Sequence, residues 1–207
     1  GFWVTTGESR SRTDPTWTAE VIATSASGPY SVFAADMDND GDMDILSASN
    51  YDSTIAWYEN DGNSNPSWTA ADIATSAAGA TSVFAADMDN DGDMDIVSGS
   101  ENDDTIAWYE NDGASDPSWA ASNIYTDARG PWSIFVADMD NDGDMDILSA
   151  EHGDDTIALY TNDGASDPSW SASEVDTNAD IATRVFAADM DNDGDMDIIS
   201  SSAGDDT

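Results

Sequence analysis

The string Ala-Asp-Met-Asp-Asn-Asp-Gly-Asp-Met-Asp-Ile occurs four times, at residues 35–45, 86–96, 137–147 and 188–198, each copy 51 residues after the last. Self-similarity at a fixed period dictates a repeat architecture, in which each unit buries its apolar face against its neighbour and none holds a core alone. Other landmarks keep the same register. Trp17, Trp68, Trp119 and Trp170 each follow a Pro-containing turn, and Asn60-Asp61-Gly62 recurs at 111–113 and 162–164.

Within a unit the apolar residues alternate with period two and never sustain a helical period, as in Ser31-Val32-Phe33-Ala34-Ala35-Asp36, Asp44-Ile45-Leu46-Ser47-Ala48 and Thr54-Ile55-Ala56-Trp57-Tyr58. A fourth segment, residues 68–74, has weaker β-propensity but lies between a Pro turn and a Ser/Ala/Gly loop. Four short strands per unit predict an all-β fold, a β-propeller of four-stranded antiparallel blades with one blade per repeat. Residues 1–207 are read as a single repeat domain: 1–25 give the last two strands of a split blade, 26–76, 77–127 and 128–178 are complete repeats, and 179–207 give the first two strands of the split blade. A ring is expected to close by pairing Phe2-Trp3-Val4 with the strand ending near Ser200, which removes two exposed sheet edges. The alternatives are that those edges join another chain, or further repeats beyond residues 1–207. Residues 7–12 depart from the repeat and carry Arg10 and Arg12, half of the positive charge.

Lysine is absent, and 44 acidic residues face four arginines, for a formal charge of −40. Such a surface repels nucleic acid and anionic membrane, and its self-repulsion opposes compaction unless counter-ions intervene. A solvated acidic surface accounts for a charge excess alone, but not for acidic residues placed in register. The aromatic residues, among them eight Trp, set the chain apart from disordered acidic sequences. Without cysteine there is no disulfide framework, and no apolar run approaches the ~20 residues of a membrane helix.

In each repeat five aspartates alternate with Met, Asn and Gly: Asp36, Asp38, Asp40, Asp42 and Asp44; Asp87, Asp89, Asp91, Asp93 and Asp95; Asp138, Asp140, Asp142, Asp144 and Asp146; Asp189, Asp191, Asp193, Asp195 and Asp197. Crowding five carboxylates into nine residues demands a cation. Calcium suits the donor set, because it takes six to eight hard oxygens in flexible geometry, whereas zinc prefers the His and Cys that are scarce or missing here. Glycine at the sixth position permits the sharp turn that folds positions one, three and five toward one point, with the seventh carbonyl and the ninth carboxylate completing the shell. An EF-hand opens similarly but needs a Glu at position twelve and flanking helices. Here position twelve is Ser47, Ser98, Ser149 or Ser200, and both flanks read as strands. About one calcium per repeat, four in total, is expected.

The pattern Asp-x-Asp-x-Asp-Gly-x-x-Asp-Ile after Val-Phe-Ala-Ala, followed by Thr-Ile-Ala-Trp-Tyr-Glu-Asn-Asp-Gly, resembles the FG-GAP (VCBS-like) repeat, the unit of integrin α-subunit propellers and of many secreted bacterial proteins. The resemblance covers nearly the whole chain. It implies side-chain calcium ligation by Asp36, Asp38, Asp40 and Asp44, backbone-carbonyl ligation at Asp42, and the same roles in the other three loops.

Two loops vary between repeats. One holds Gly28-Pro29-Tyr30, Gly79-Ala80-Thr81, Gly130-Pro131-Trp132 and Ile181-Ala182-Thr183; the other holds Asn50-Tyr51, Glu101-Asn102, Glu151-His152 and Ala203-Gly204. Both are expected on the face opposite the acidic loops, where Tyr30, Tyr51, Arg129, Trp132 and His152 form a candidate sugar patch, since aromatic rings stack on apolar sugar faces. Drift in tolerant loops accounts for the same variation. The in-register tryptophans are expected to pack between blades, and the methionines to plug sheet ends. With one His, no Cys and no Lys, catalytic candidates are few.

The expected function is non-enzymatic: a calcium-binding extracellular repeat module, secreted or at the cell surface, with a structural, adhesive or carbohydrate-binding role and glycans or other surface proteins as partners. Extracellular calcium modules bind at roughly 10⁻⁴–10⁻³ M, which favours loading outside the cell. The alternatives are a protomer of a surface filament that self-associates head to tail through its end strands, and a calcium-dependent polysaccharide-acting enzyme.

Overall fold

The computed structural model describes the backbone at residues 1–8 and 16–204, and side chains at 1–2 and 19–204. Most of the divergent N-terminal stretch, residues 9–12, and the Trp17 side chain lie outside the described residues.

Sixteen strands fall into five antiparallel sheets in chain order. A hairpin of β1 (Phe2–Glu8) and β2 (Thr16–Ala23) comes first. Three four-stranded meanders follow: β3 (Pro29–Ala35), β4 (Asp44–Ser49), β5 (Thr54–Asn60) and β6 (Trp68–Ala74); β7 (Ala80–Ala86), β8 (Asp95–Ser100), β9 (Thr105–Asn111) and β10 (Trp119–Tyr125); and β11 (Pro131–Ala137), β12 (Asp146–Glu151), β13 (Thr156–Asn162) and β14 (Trp170–Asp176). The last sheet is the hairpin of β15 (Ala182–Ala188) and β16 (Asp197–Ser202). The chain is thus all-β among the described residues, in four-stranded antiparallel units repeating every 51 residues.

The sheets stack through their faces, which explains why second strands such as β4, β8 and β12 are buried at every position. Fourth strands such as β6 are largely exposed, as outermost strands should be. First strands pack on first strands, β3 on β7, β7 on β11 and β11 on β15. Along that seam runs a row of rings, Phe33–Phe84–Phe135–Phe186, with successive centroids 4.4, 5.4 and 4.6 Å apart. The first strands also converge at one end. Tyr30 of β3 reaches Trp132 of β11, 6.0 Å between centroids, past the intervening sheet.

Apolar clusters lie between successive sheets. One joins Leu46, Ile55 and Trp57 to Val83, Ile96 and Tyr109; the next joins Val97, Ile106 and Trp108 to Ile134, Ile147 and Tyr160. The tryptophans therefore pack between sheets, Trp119 and Trp170 from the fourth strands against Trp57 and Trp108 respectively. The N-terminal hairpin covers the other face of the first meander, Phe2 lying edge-on to Tyr58 at 5.1 Å.

The two end hairpins stand as separate two-stranded sheets. Among the described residues β1 pairs only with β2 and β16 only with β15, so the expected pairing of residues 2–4 with the strand ending near Ser200 is not formed. The outward face of the last hairpin is accordingly open, with Phe186 and Ile199 exposed.

Methionine burial follows the same logic. Met37 and Met88, each second in its acidic loop, are fully buried where the next repeat covers them, whereas Met190 is 62% exposed. Met88→Ala should cost about 2–5 kcal/mol of unfolding free energy, and Met190→Ala less than about 0.5 kcal/mol. Denaturant titration of the two variants under one fixed metal condition checks the contrast.

Candidate metal centre

Each acidic loop is the hairpin between the first and second strands of a sheet. Its turn needs left-handed backbone at two places, Asn39 (φ 58°) and Gly41 (φ 95°), where Asn and Gly are the residues with least strain. The turn points backbone N–H groups inward. Asp36 accepts from Asp40 N at 3.1 Å through Oδ1 and from Gly41 N at 3.0 Å through Oδ2, while Asp40 Oδ1 accepts from Asp42 N at 2.9 Å.

Asp44, the first residue of β4, is only 1% exposed. Its Oδ2 accepts from Met37 N at 3.1 Å and its Oδ1 from Asn60 N at 2.8 Å, locking the loop to the end of the third strand. Asp95 and Asp146 make the same pair of bonds, to Met88 and Asn111 and to Met139 and Asn162. Burial raises the carboxyls of Asp44 and Asp146 above the usual range and pushes Asp95 up to about 7. Asp38 and Asp89 are raised as well, by desolvation first and neighbouring carboxylates in addition.

Carboxylate oxygens converge within 4.8 Å of one another in every loop: Asp36, Asp38 and Asp40 in the first; Asp87, Asp89 and Asp95 in the second; Asp138, Asp140 and Asp146 in the third; Asp189, Asp191 and Asp197 in the fourth. Asp44 is absent from the first set, and Asp91, Asp142 and Asp193 from the other three. No Lys, Arg or His lies in any of the four strings to neutralise these groups. A set of hard oxygens with no internal counter-charge fits a divalent metal ion.

The seventh-position aspartates belong to none of the clusters. Asp93 Oδ1 accepts a hydrogen bond from Asn39 Nδ2 of the preceding loop at 2.6 Å, Asp144 Oδ1 from Asn90 Nδ2 at 2.5 Å and Asp195 Oδ1 from Asn141 Nδ2 at 2.9 Å. The side chains of Asp93, Asp144 and Asp195 thus tie consecutive loops together through Oδ1. A second tie runs the opposite way, from the following unit to the preceding one: Asn111 Nδ2 donates to Met37 O and Asn162 Nδ2 to Met88 O, both at 2.9 Å. These asparagines were visible in the sequence only as a recurring Asn-Asp-Gly.

The structure brings four of the five candidate sugar-patch residues into one row. Tyr51 meets Tyr30 at 6.4 Å, Tyr30 meets Trp132 at 6.0 Å, and Trp132 meets His152 at 5.1 Å. Arg129 lines a shallow cavity beside His152 and lies 3.6 Å from Asp127. One alignment in the variable loops shifts by a residue. His152 occupies the place of Glu101, and Glu151 that of Ser100 at the end of its second strand, where it is buried instead of in the loop.

An array of antiparallel sheets carrying one acidic hairpin each defines an all-β repeat protein with a row of candidate metal loops. The model of the FG-GAP-like repeat family matches at residues 8–47, 36–98, 87–149 and 138–200, and the chain belongs to that family. None of the curated proteins compared with the chain matches it.

The Asp95 carboxyl predicts a pH dependence for metal-free protein. Its folded value, about 7, exceeds the ordinary 3.8, so the folded state holds the proton more tightly and stability falls as pH rises from about 4 to 7. After passage over chelating resin, Asp95→Asn should show a shallower decline than the parent across that window in urea unfolding. Parallel slopes would remove burial of Asp95 as the cause.

Proposed function

We propose that the chain is a non-enzymatic, calcium-binding module of the β-propeller type that works outside the cell or at its surface in a structural, adhesive or carbohydrate-binding role. The observation that carries this reading is the convergence of three carboxylates in each of four equivalent hairpins with no cationic side chain among them. Asp36, Asp38, Asp40 and Asp44, with the Asp42 carbonyl, would hold one calcium, and the corresponding residues of the other loops one each. Calcium relieves the repulsion inside each loop and stabilises the folded state by mass action.

Proximity of the first strands supports the propeller reading, since Tyr30 of the first meander lies 6.0 Å from Trp132 of the third, as expected of sheets arranged round a common axis. The continuous aromatic row supports the carbohydrate role, because its edge-on and tilted rings offer apolar faces against which sugar rings can pack.

Elemental analysis after dialysis against millimolar calcium should find about four ions per chain, in keeping with the affinity of extracellular calcium modules. EGTA should lower the thermal midpoint by roughly 10 °C or more, the equivalent of a few kcal/mol in a domain of this size. Asp87→Ala should lower the stoichiometry by one. A midpoint indifferent to chelator, together with no bound calcium, would overturn the reading.

A further inference from the structure

The clefts between consecutive meanders are repeats of one another, and they differ in one informative way. The cleft between the first and second meanders and the cleft between the second and third have nearly the same volume, about 470 and 460 Å³. Several positions keep their residue: Thr105 and Tyr109 in one correspond to Thr156 and Tyr160 in the other, and Asp103 to Asp154. The rest change together. Where the first cleft has Ala74, Ser76, Ser100 and Asn123, the second has Tyr125, Asp127, Glu151 and Glu174. Four lining positions differ between the clefts, and three of the four changes add a carboxylate.

Glu151 is the centre of the change. It is 4% exposed, yet it lines the cleft. Tyr160 donates its hydroxyl to Oε1 at 2.5 Å, and the second oxygen, Oε2, has no hydrogen-bond partner among the described residues. Burial pushes this carboxyl up to about 7, with Asp154, Asp127 and Glu174 adding repulsion. Only Arg129 offers positive charge from the walls, and it is engaged with Asp127 at the surface. Tyr125, 5.2 Å from Tyr160, supplies a half-exposed ring beside these acids.

We infer that this second cleft binds a primary ammonium group carried on an apolar or sugar framework, with Glu151 and Glu174 as its counter-charges and the Tyr125 ring against its carbon face. A neutral ligand leaves the repulsion of Asp154 and Glu174 on Glu151 in place, and an anion adds to it. An ammonium group supplies three donors and the missing charge, and an adjacent aromatic ring favours it further. The first cleft has the same size but serine and asparagine at the corresponding places, and it serves as an internal control.

The test uses the full chain saturated with calcium, so that the acidic loops do not compete for amine and a failure of calcium loading is seen separately. Titration with n-pentylamine, followed by backbone amide NMR, should give saturable shifts at Ala158 and Ser173 and none at their counterparts Ala107 and Ser122. n-Pentanol should give none at either place. Glucosamine trimer against N-acetylglucosamine trimer, and a lysine-containing peptide against its acetylated form, distinguish an amino sugar from a lysine side chain as the source of the ammonium. Glu151→Ser installs the residue found in the first cleft and should weaken binding at least about tenfold, the worth of one charge-assisted hydrogen bond. Glu174→Asn, at an exposed position and with the residue of the first cleft, should weaken it in the same direction. Equal binding of pentanol, unchanged binding in both variants, or the absence of saturable shifts with every amine overturns the inference.

Discussion

A buried carboxylate that two backbone N–H groups share is the constraint on which each complete repeat depends. Asp44, Asp95 and Asp146 begin the second strand of their sheets, and each accepts one bond from the loop behind it and one from the end of the third strand. Desolvation makes the ionised form costly, while the hydrogen bonds require an acceptor at that spot. Positive charge at the hairpin tip, where the other aspartates of the loop gather, would resolve the conflict. On the proposed reading, folding and metal binding would be two aspects of a single electrostatic arrangement.

Stacking gives each repeat two unlike environments. The face toward a neighbour is dry and built from Ile, Leu, Val, Trp and Tyr, whereas the outermost strands are wet and built from Ala, Ser and acidic residues. Stability in such an array is close to a sum of unit and interface contributions, so a residue's worth depends on whether another sheet covers it. Phe33, Phe84 and Phe135 are partly buried in the seam, but Phe186, at the same position of the repeat, is half exposed on the last hairpin.

Much of this was readable before any coordinates. Period-two alternation placed the strands, and residues 44–48 and 54–58 of the sequence reading fall within β4 and β5. The weak fourth segment at 68–74 coincides with β6, because a Pro turn and a loop bound it whatever its propensity. The ladder of Asn–Asp ties was not readable: its partners lie 54 residues apart, in loops whose composition already had a full explanation in metal ligation. Glu151 was missed for a related reason. Loop alignment by eye grouped it with Glu101, and only strand pairing shows that it stands where Ser49 and Ser100 stand, facing a cleft instead of solvent. Pairing of the end hairpins was expected from edge protection alone, a general tendency that names no partner strand.

The inter-loop ties also bear on how a chain of this kind can change length. Every complete unit carries a donor asparagine for one side and an acceptor aspartate for the other, so duplicating a whole unit copies both halves of the joint, and the new copy meets its neighbours with every bond intact. Removing a few residues inside a unit instead slips donor past acceptor and strips both adjoining hairpins of a partner. Growth by recombination between near-identical segments is therefore structurally silent, whereas small indels are not, and selection on such a lineage would keep the units alike in size while their surface grooves diverge.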